Sequence, residues 1–154
     1  MKSSSFFAGG EQRLSVITAG LASAPASCDH ERMYVVELDR SKRLLVISAA
    51  QGVTAEQAKL AAQRVRELLQ SVAPGFRVLA DFRWLDSMES AAARHIAGMM
   101  DALAEKGVAS VTRVMPDPHK DIGLNILSQF HYGPEIKIGT FETLADAVQS
   151  MLAE

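Results

Sequence analysis

Four times after Met33, a short apolar run gives way to a stretch whose apolar residues recur every three or four positions. That alternation constrains the chain more than any other feature. A strand that feeds a helix and then another strand of the same sheet runs parallel to it, joined by a right-handed crossover. The runs at 34–39 and 43–49 are separated only by the polar Arg40-Ser41-Lys42, so the first is expected to pair antiparallel at an edge. Further strands are expected at 76–82, 109–115 and 135–140. The order is ββαβαβαβα: a single α/β domain with a mixed, mostly parallel five-stranded sheet and four helices.

The helix boundaries have local causes. Gly52 breaks the chain after the second strand, and Thr54 and Gln57 have capping-box spacing. Ala58, Ala61, Val65, Leu68 and Val72 then share one face up to the stop at Pro74-Gly75. A second helix opens near Ser90, turns Ala92, Ile96, Met99 and Leu103 inward, and stops at Gly107. Asp117-Pro118 supplies an N-cap acceptor followed by proline at the first helical position. Periodicity predicts that this third helix buries Ile122, Ile126 and Phe130 and ends at Gly133-Pro134. The closing helix, 141–152, is expected to bury Leu144, Ala147, Val148 and Met151.

The domain so defined covers 33–154 of the 154 residues. Residues 1–32, rich in Ser, Ala and Gly, have little period and are read as a disordered or non-native extension. The run from Leu14 to Ala26, with small residues before Cys28, also has some features of a signal segment. A net charge of −2 offers no field to attract nucleic acid or anionic lipid, and no apolar run is long enough to cross a bilayer. The lone Cys28 excludes an intrachain disulfide.

Catalytic signatures are missing. There is no G-x-G-x-x-G, no phosphate-binding lysine loop and no G-x-S-x-G elbow. His30, His95, His119 and His131 lack metal-ligand spacing, so neither a metal nor another cofactor is expected. Asp81, Asp86 and Glu89 cluster at the end of the third strand. Two common effects explain them without an enzyme: Asp86 and Glu89 have capping-box spacing, and anions are favoured at helix N-termini. Ser90 follows them, where a phosphate would meet free backbone amides, with Arg94 one turn along to pair with it. A serine there also simply suits a helix start.

The stretch DFRWLDSMESAAARHIAG resembles, without a gap, the strand–loop–helix of the STAS domain, the fold of bacterial anti-sigma-factor antagonists of the SpoIIAA type. Met88 and Glu89 fall where that family has Met-Asp, and Ser90 falls on its phosphorylated serine. GVASVTRVMPDPHKDIGLNIL and IKIGTFETLADAVQSML resemble its later strands and helices. Ala91-Ala92 replaces the family's Ser-Gly, and SAAQGVT stands in place of its Gly-Glu-Leu-Asp loop. The resemblance implies a bacterial, cytoplasmic, non-enzymatic signalling module. Its partner would be a serine kinase or anti-sigma factor, contacted through Asp86, Ser87, Glu89, Ser90 and Arg94; homodimerisation stays open. The resemblance extends to a divergent SpoIIAA-like branch that is similar to lipid-transfer domains. It implies instead an apolar ligand groove lined by Trp84, Phe130 and Tyr132, with Phe76, Phe82 and Phe141 as further candidates.

Overall fold

A computed structural model describes residues 33–154; the expectations for 1–32, including Cys28 and His30, lie outside the described residues. The strands are β1 (Tyr34–Asp39), β2 (Leu44–Val53), β3 (Arg77–Met88), β4 (Ser110–Val114) and β5 (Lys137–Phe141). The helices are α1 (Ala55–Leu69), α2 (Ala93–Glu105), α3 (Pro118–His131) and α4 (Leu144–Ala153), with a 3-10 turn at Ser90–Ala92 ahead of α2. The sheet order is β1-β2-β3-β4-β5, with β1 antiparallel to β2 and every later pair parallel. This is the expected architecture, with the hairpin strand at the edge.

The order explains the layering. Each crossover adds a strand on the same side, so right-handed connections leave α1, α2 and α3 on one face of the sheet. That face buries Leu45, Ile47 and Val78 against Val65 of α1, Leu103 of α2 and Leu124 of α3. The last helix makes no crossover and turns to the other face, where Ala147 and Met151 meet Leu79 and Val114. Neighbouring residues of β3, Val78 and Leu79, thus enter different cores, as the two-residue period of a strand requires.

Several caps were legible. Thr54 Oγ1 accepts from the Gln57 N–H at 3.2 Å and Gln57 Oε1 from the Thr54 N–H at 3.0 Å, completing the capping box. Asp117 Oδ1 accepts from the His119 N–H at 3.0 Å, with Pro118 opening the helix. Gly75 and Gly107 have φ of +86° and +84° and meet through a 2.7 Å backbone hydrogen bond. The stops after α1 and α2 are therefore joined to each other.

Three expectations are corrected, besides that of Val148, placed inward on the closing helix but 39% exposed. First, β2 does not break at Gly52 but runs through it to Val53, and β3 continues past Phe82 to Met88. These extensions pair with each other alone, because the β3–β4 register ends at Asp81↔Val114. A two-stranded ribbon has little to bury, which is why its sequence loses the apolar period. Second, Asp86 and Glu89 form no capping box: Asp86 lies within β3, and Glu89 makes no side-chain cap of its own turn. Third, α3 is turned over. Its inward residues are Asp121, Leu124 and Ser128, while Ile122 (56%), Ile126 (51%) and Phe130 (80%) are exposed.

The cause of that reversal is Arg113, only 3% exposed at the penultimate position of β4. A buried guanidinium needs charge and hydrogen-bond partners. Its Nη1 donates to Ser128 Oγ at 2.7 Å and its Nη2 to Asp121 Oδ2 at 3.4 Å. Thr140 of β5 donates to the same carboxylate at 3.0 Å. Nε lies 3.1 Å from Asp121 Oδ1, close enough for charge attraction but off the line of a hydrogen bond. The polar side of α3 is thus the one that faces the core.

Candidate functional site

The β2–β3 ribbon projects beyond the end of β4 and carries the acidic turn out from the sheet. Ser90 opens the 3-10 turn, exposed, at the carboxyl end of β3. Ligand and partner surfaces of open α/β sheets gather at such strand ends. Glu89, just before it, ties the turn to two other elements. Its N–H donates to the Val53 carbonyl at 2.9 Å, and its Oε2 accepts from the Ala55 N–H, the first residue of α1, at 2.8 Å. Glu89 therefore caps a helix 34 residues away rather than its own. An acid at that position was visible in the sequence; its partner was not, because only the β2–β3 register brings Val53 beside Met88.

A groove of about 440 Å³ opens beside this turn. One wall is Leu85–Ser90; the other is α3, through Lys120, Gly123, Leu124, Ile126 and Leu127, with Ala93 at the start of α2. Of the residues expected at a partner surface, Asp86, Ser87, Glu89 and Ser90 line it together. Arg94 does not; it is exposed on α2 and donates from Nε to His95 Nε2 at 3.3 Å. Lys120 and α3 are the part of this surface that spacing along the chain did not reveal. Lys120 Nζ donates to the Leu85 carbonyl at 3.1 Å, bridging the groove at one end.

A second, narrower space of about 70 Å³ lies between the sheet and α1–α3. Its walls include Ile47, Val78, Ala80, Phe82, Met99 and Leu103, with Arg113 and Tyr132 among them. Tyr132 is buried, and loss of water pushes its hydroxyl well above the ordinary tyrosine range; Arg113 opposes the effect. Of the six aromatic residues named as candidates around an apolar ligand, Phe82 and Tyr132 line this cavity. Trp84 (70%) and Phe130 (80%) stand in solvent on the surface, and neither lines the cavity or the groove. The correction has a simple reason. Trp84 rides the projecting ribbon, and Phe130 lies on the outward face of α3.

The third acid of the expected cluster, Asp81, is engaged separately. Arg83 donates to it from Nε at 2.9 Å and Nη2 at 2.8 Å, holding its carboxyl below the usual range against the opposing effect of partial burial. Among the described residues no three His, Cys, Asp or Glu side chains lie together as metal ligands. No described helix is long and apolar enough to cross a membrane.

Comparisons with known proteins follow the fold, not the sequence. No family model matches the chain, and no curated protein does. Among solved structures, a DUF3478 protein with a SpoIIAA-like fold from Shewanella loihica is similar, with a TM-score of 0.60 at 18% identity over 76% of this chain and 92% of its own. The anti-sigma factor antagonist SpoIIAA in its unphosphorylated form gives 0.53 at 17% identity over 79% and 99%. SpoIIAA of Bacillus in its phosphorylated form gives 0.52 at 17% identity over 77% and 98%. The chain has a divergent STAS or SpoIIAA-like fold.

Proposed function

We propose that this SpoIIAA-like domain is a non-enzymatic regulatory binding module, with a protein partner controlled through Ser90. The observation that carries the reading is local: an exposed serine at the end of β3, on the rim of an apolar groove, in a turn tied to α1 and β2. That SpoIIAA has been solved with and without phosphate supports phosphorylation as the control. A partner of the serine-kinase or anti-sigma-factor type would read the unmodified surface.

Phosphate would add about −1.5 to −2 charges beside Glu89 and near Asp86. A partner segment that covers this apolar rim would have to strip water from the phosphate, which disfavours docking. It also weakens the grip of Glu89 on the Ala55 N–H, so a modification at one turn reaches the start of α1. Arg94, exposed at the second position of α2 and four residues after Ser90, is placed in sequence to pair with the new charge. Capture from lysate of the source cell on immobilised full-length protein tests the reading. A protein held by the wild type and by Ser90→Ala, and lost on Ser90→Glu, is the expected result; identical sets on all three would end it.

The narrow apolar cavity favours a second reading, an apolar ligand held between sheet and helices. Its size limits the class. An engineered apolar cavity of about 150 Å³ admits benzene, so a space of about 70 Å³ suits a ligand of a few heavy atoms rather than an acyl chain. Xenon titration followed through the Met99 and Leu103 methyl resonances checks it: saturable shifts support a ligand site, and unchanged spectra remove it.

A further inference from the structure

The groove beside Ser90 has three features that the packing of this chain leaves unexplained. Gly123 lies inside α3, where glycine costs about 1 kcal/mol relative to alanine. An added Cβ would nevertheless meet nothing within 4 Å, so no neighbour in the fold demands glycine. What glycine provides is close approach to the helix backbone from the groove side.

The second feature is the edge of β3. From Phe82 onward β3 pairs with β2 only, and its β4 side is open. The groove runs along Leu85–Met88 of that edge, and the Leu85 carbonyl receives a lysine ammonium where a sheet would supply a strand. Such an edge is matched by another backbone, which offers donors and acceptors in series; an acyl chain offers none.

The third feature is charge. Asp86 on the rim makes no hydrogen bond or ion pair among the described residues, whereas Glu89 and Lys120 are both engaged. An exposed carboxylate beside an apolar floor complements a cation next to an apolar side chain.

We infer that this groove receives an extended segment of a partner protein, an apolar side chain seated over Gly123 and a lysine or arginine against Asp86. The inference names the partner surface of the binding-module reading and rests on that reading, but not on the modification of Ser90. It makes Gly123 a specificity residue: the groove stays open because no side chain fills it.

The test pans the full-length chain against a display library of random 12-residue peptides and measures the enriched peptides by fluorescence polarisation. Alternating apolar residues next to a Lys or Arg are expected, with resonance shifts at Leu85–Ser90 and Gly123–Leu127. Gly123→Leu and Asp86→Lys are each expected to weaken binding at least tenfold. Ile122→Ser, on the outward face of α3, leaves it unchanged. Gly123→Leu favours the helix by propensity, and its urea midpoint checks that lost binding is not lost folding. An unenriched library overturns the proposal, as do peptides that survive Gly123→Leu and fail with Ile122→Ser. Sedimentation showing a dimer that Gly123→Leu converts to monomer would assign the groove to a second copy instead. If groove variants bind peptide normally while Ser90→Glu still releases the cellular partner, the groove is wrong and the Ser90 reading stands.

Discussion

Replacing Asp121 by alanine is expected to be among the most damaging single changes on α3, although the residue looks from its sequence like a surface acid. The change strips Arg113 of its only ion-pair partner among the described residues while leaving the guanidinium buried in β4. It also removes the acceptor for Thr140, so β4, α3 and β5 lose their shared polar junction. Breaking one side of a buried pair costs roughly 3–5 kcal/mol, mostly from the charge left behind. Small domains unfold in urea with slopes of about 1–3 kcal/mol per molar. At a mid-range slope the midpoint falls by roughly 2 M, enough to leave a marginal domain partly unfolded in buffer. The control removes the charge as well: Arg113→Met with Asp121→Leu is expected to recover most of the loss, because it leaves no uncompensated charge, only the Thr140 hydroxyl without its acceptor. Urea unfolding followed by far-ultraviolet circular dichroism gives both numbers. A loss below about 1 kcal/mol for the single variant would refute the reasoning, as would a double variant no more stable than the single.

Three further outcomes follow from named contacts. Glu89→Ala is expected to cost about 1 kcal/mol, the scale of a lost helix cap, while Glu89→Gln keeps an acceptor for the Ala55 N–H and costs less; amide exchange at Ala55 separates this from a general loss. Asp81 has a carboxyl held below its usual range by Arg83, so its contribution is present above the unfolded value near 4 and lost as pH falls through the folded value. The Asp81→Asn penalty should therefore be under about 1 kcal/mol at pH 7, as for an exposed pair, and shrink in urea titrations as the pH falls below the ordinary aspartate range. Gly107→Ala places a Cβ on a left-handed residue and 3.0 Å from Pro74 Cβ; a loss of at least about 1 kcal/mol in thermal unfolding is expected, and a neutral result would contradict the strain.

The sequence revealed most of the fold where one effect dominated. Thr54 with Gln57, and Asp117 with Pro118, announced their helices because caps act over three residues. Val78 and Leu79 announced β3 because both faces of the sheet are covered there. Its extension through Trp84 to Met88 was hidden because a ribbon paired on one side keeps polar residues. The face of α3 was misread for a deeper reason: apolar periodicity assumes an apolar core, and here the core side answers Arg113. The warning was present in ASVTRVM, an arginine within a strand covered on both faces, which demands a carboxylate nearby. Likewise, the place of Ser90 could be read from its spacing after β3, whereas the groove needs α3, some thirty residues later, to close its second wall.

The claim that Ser90 is the controlled residue is tested most directly by intact-mass analysis of the full-length protein purified from its own cell, beside the Ser90→Ala variant expressed at the same locus. A fraction carrying one phosphate, removed by phosphatase and absent from Ser90→Ala, is the predicted result. A wild-type protein without that species under every growth condition tried, or a phosphate that persists in Ser90→Ala, would contradict it.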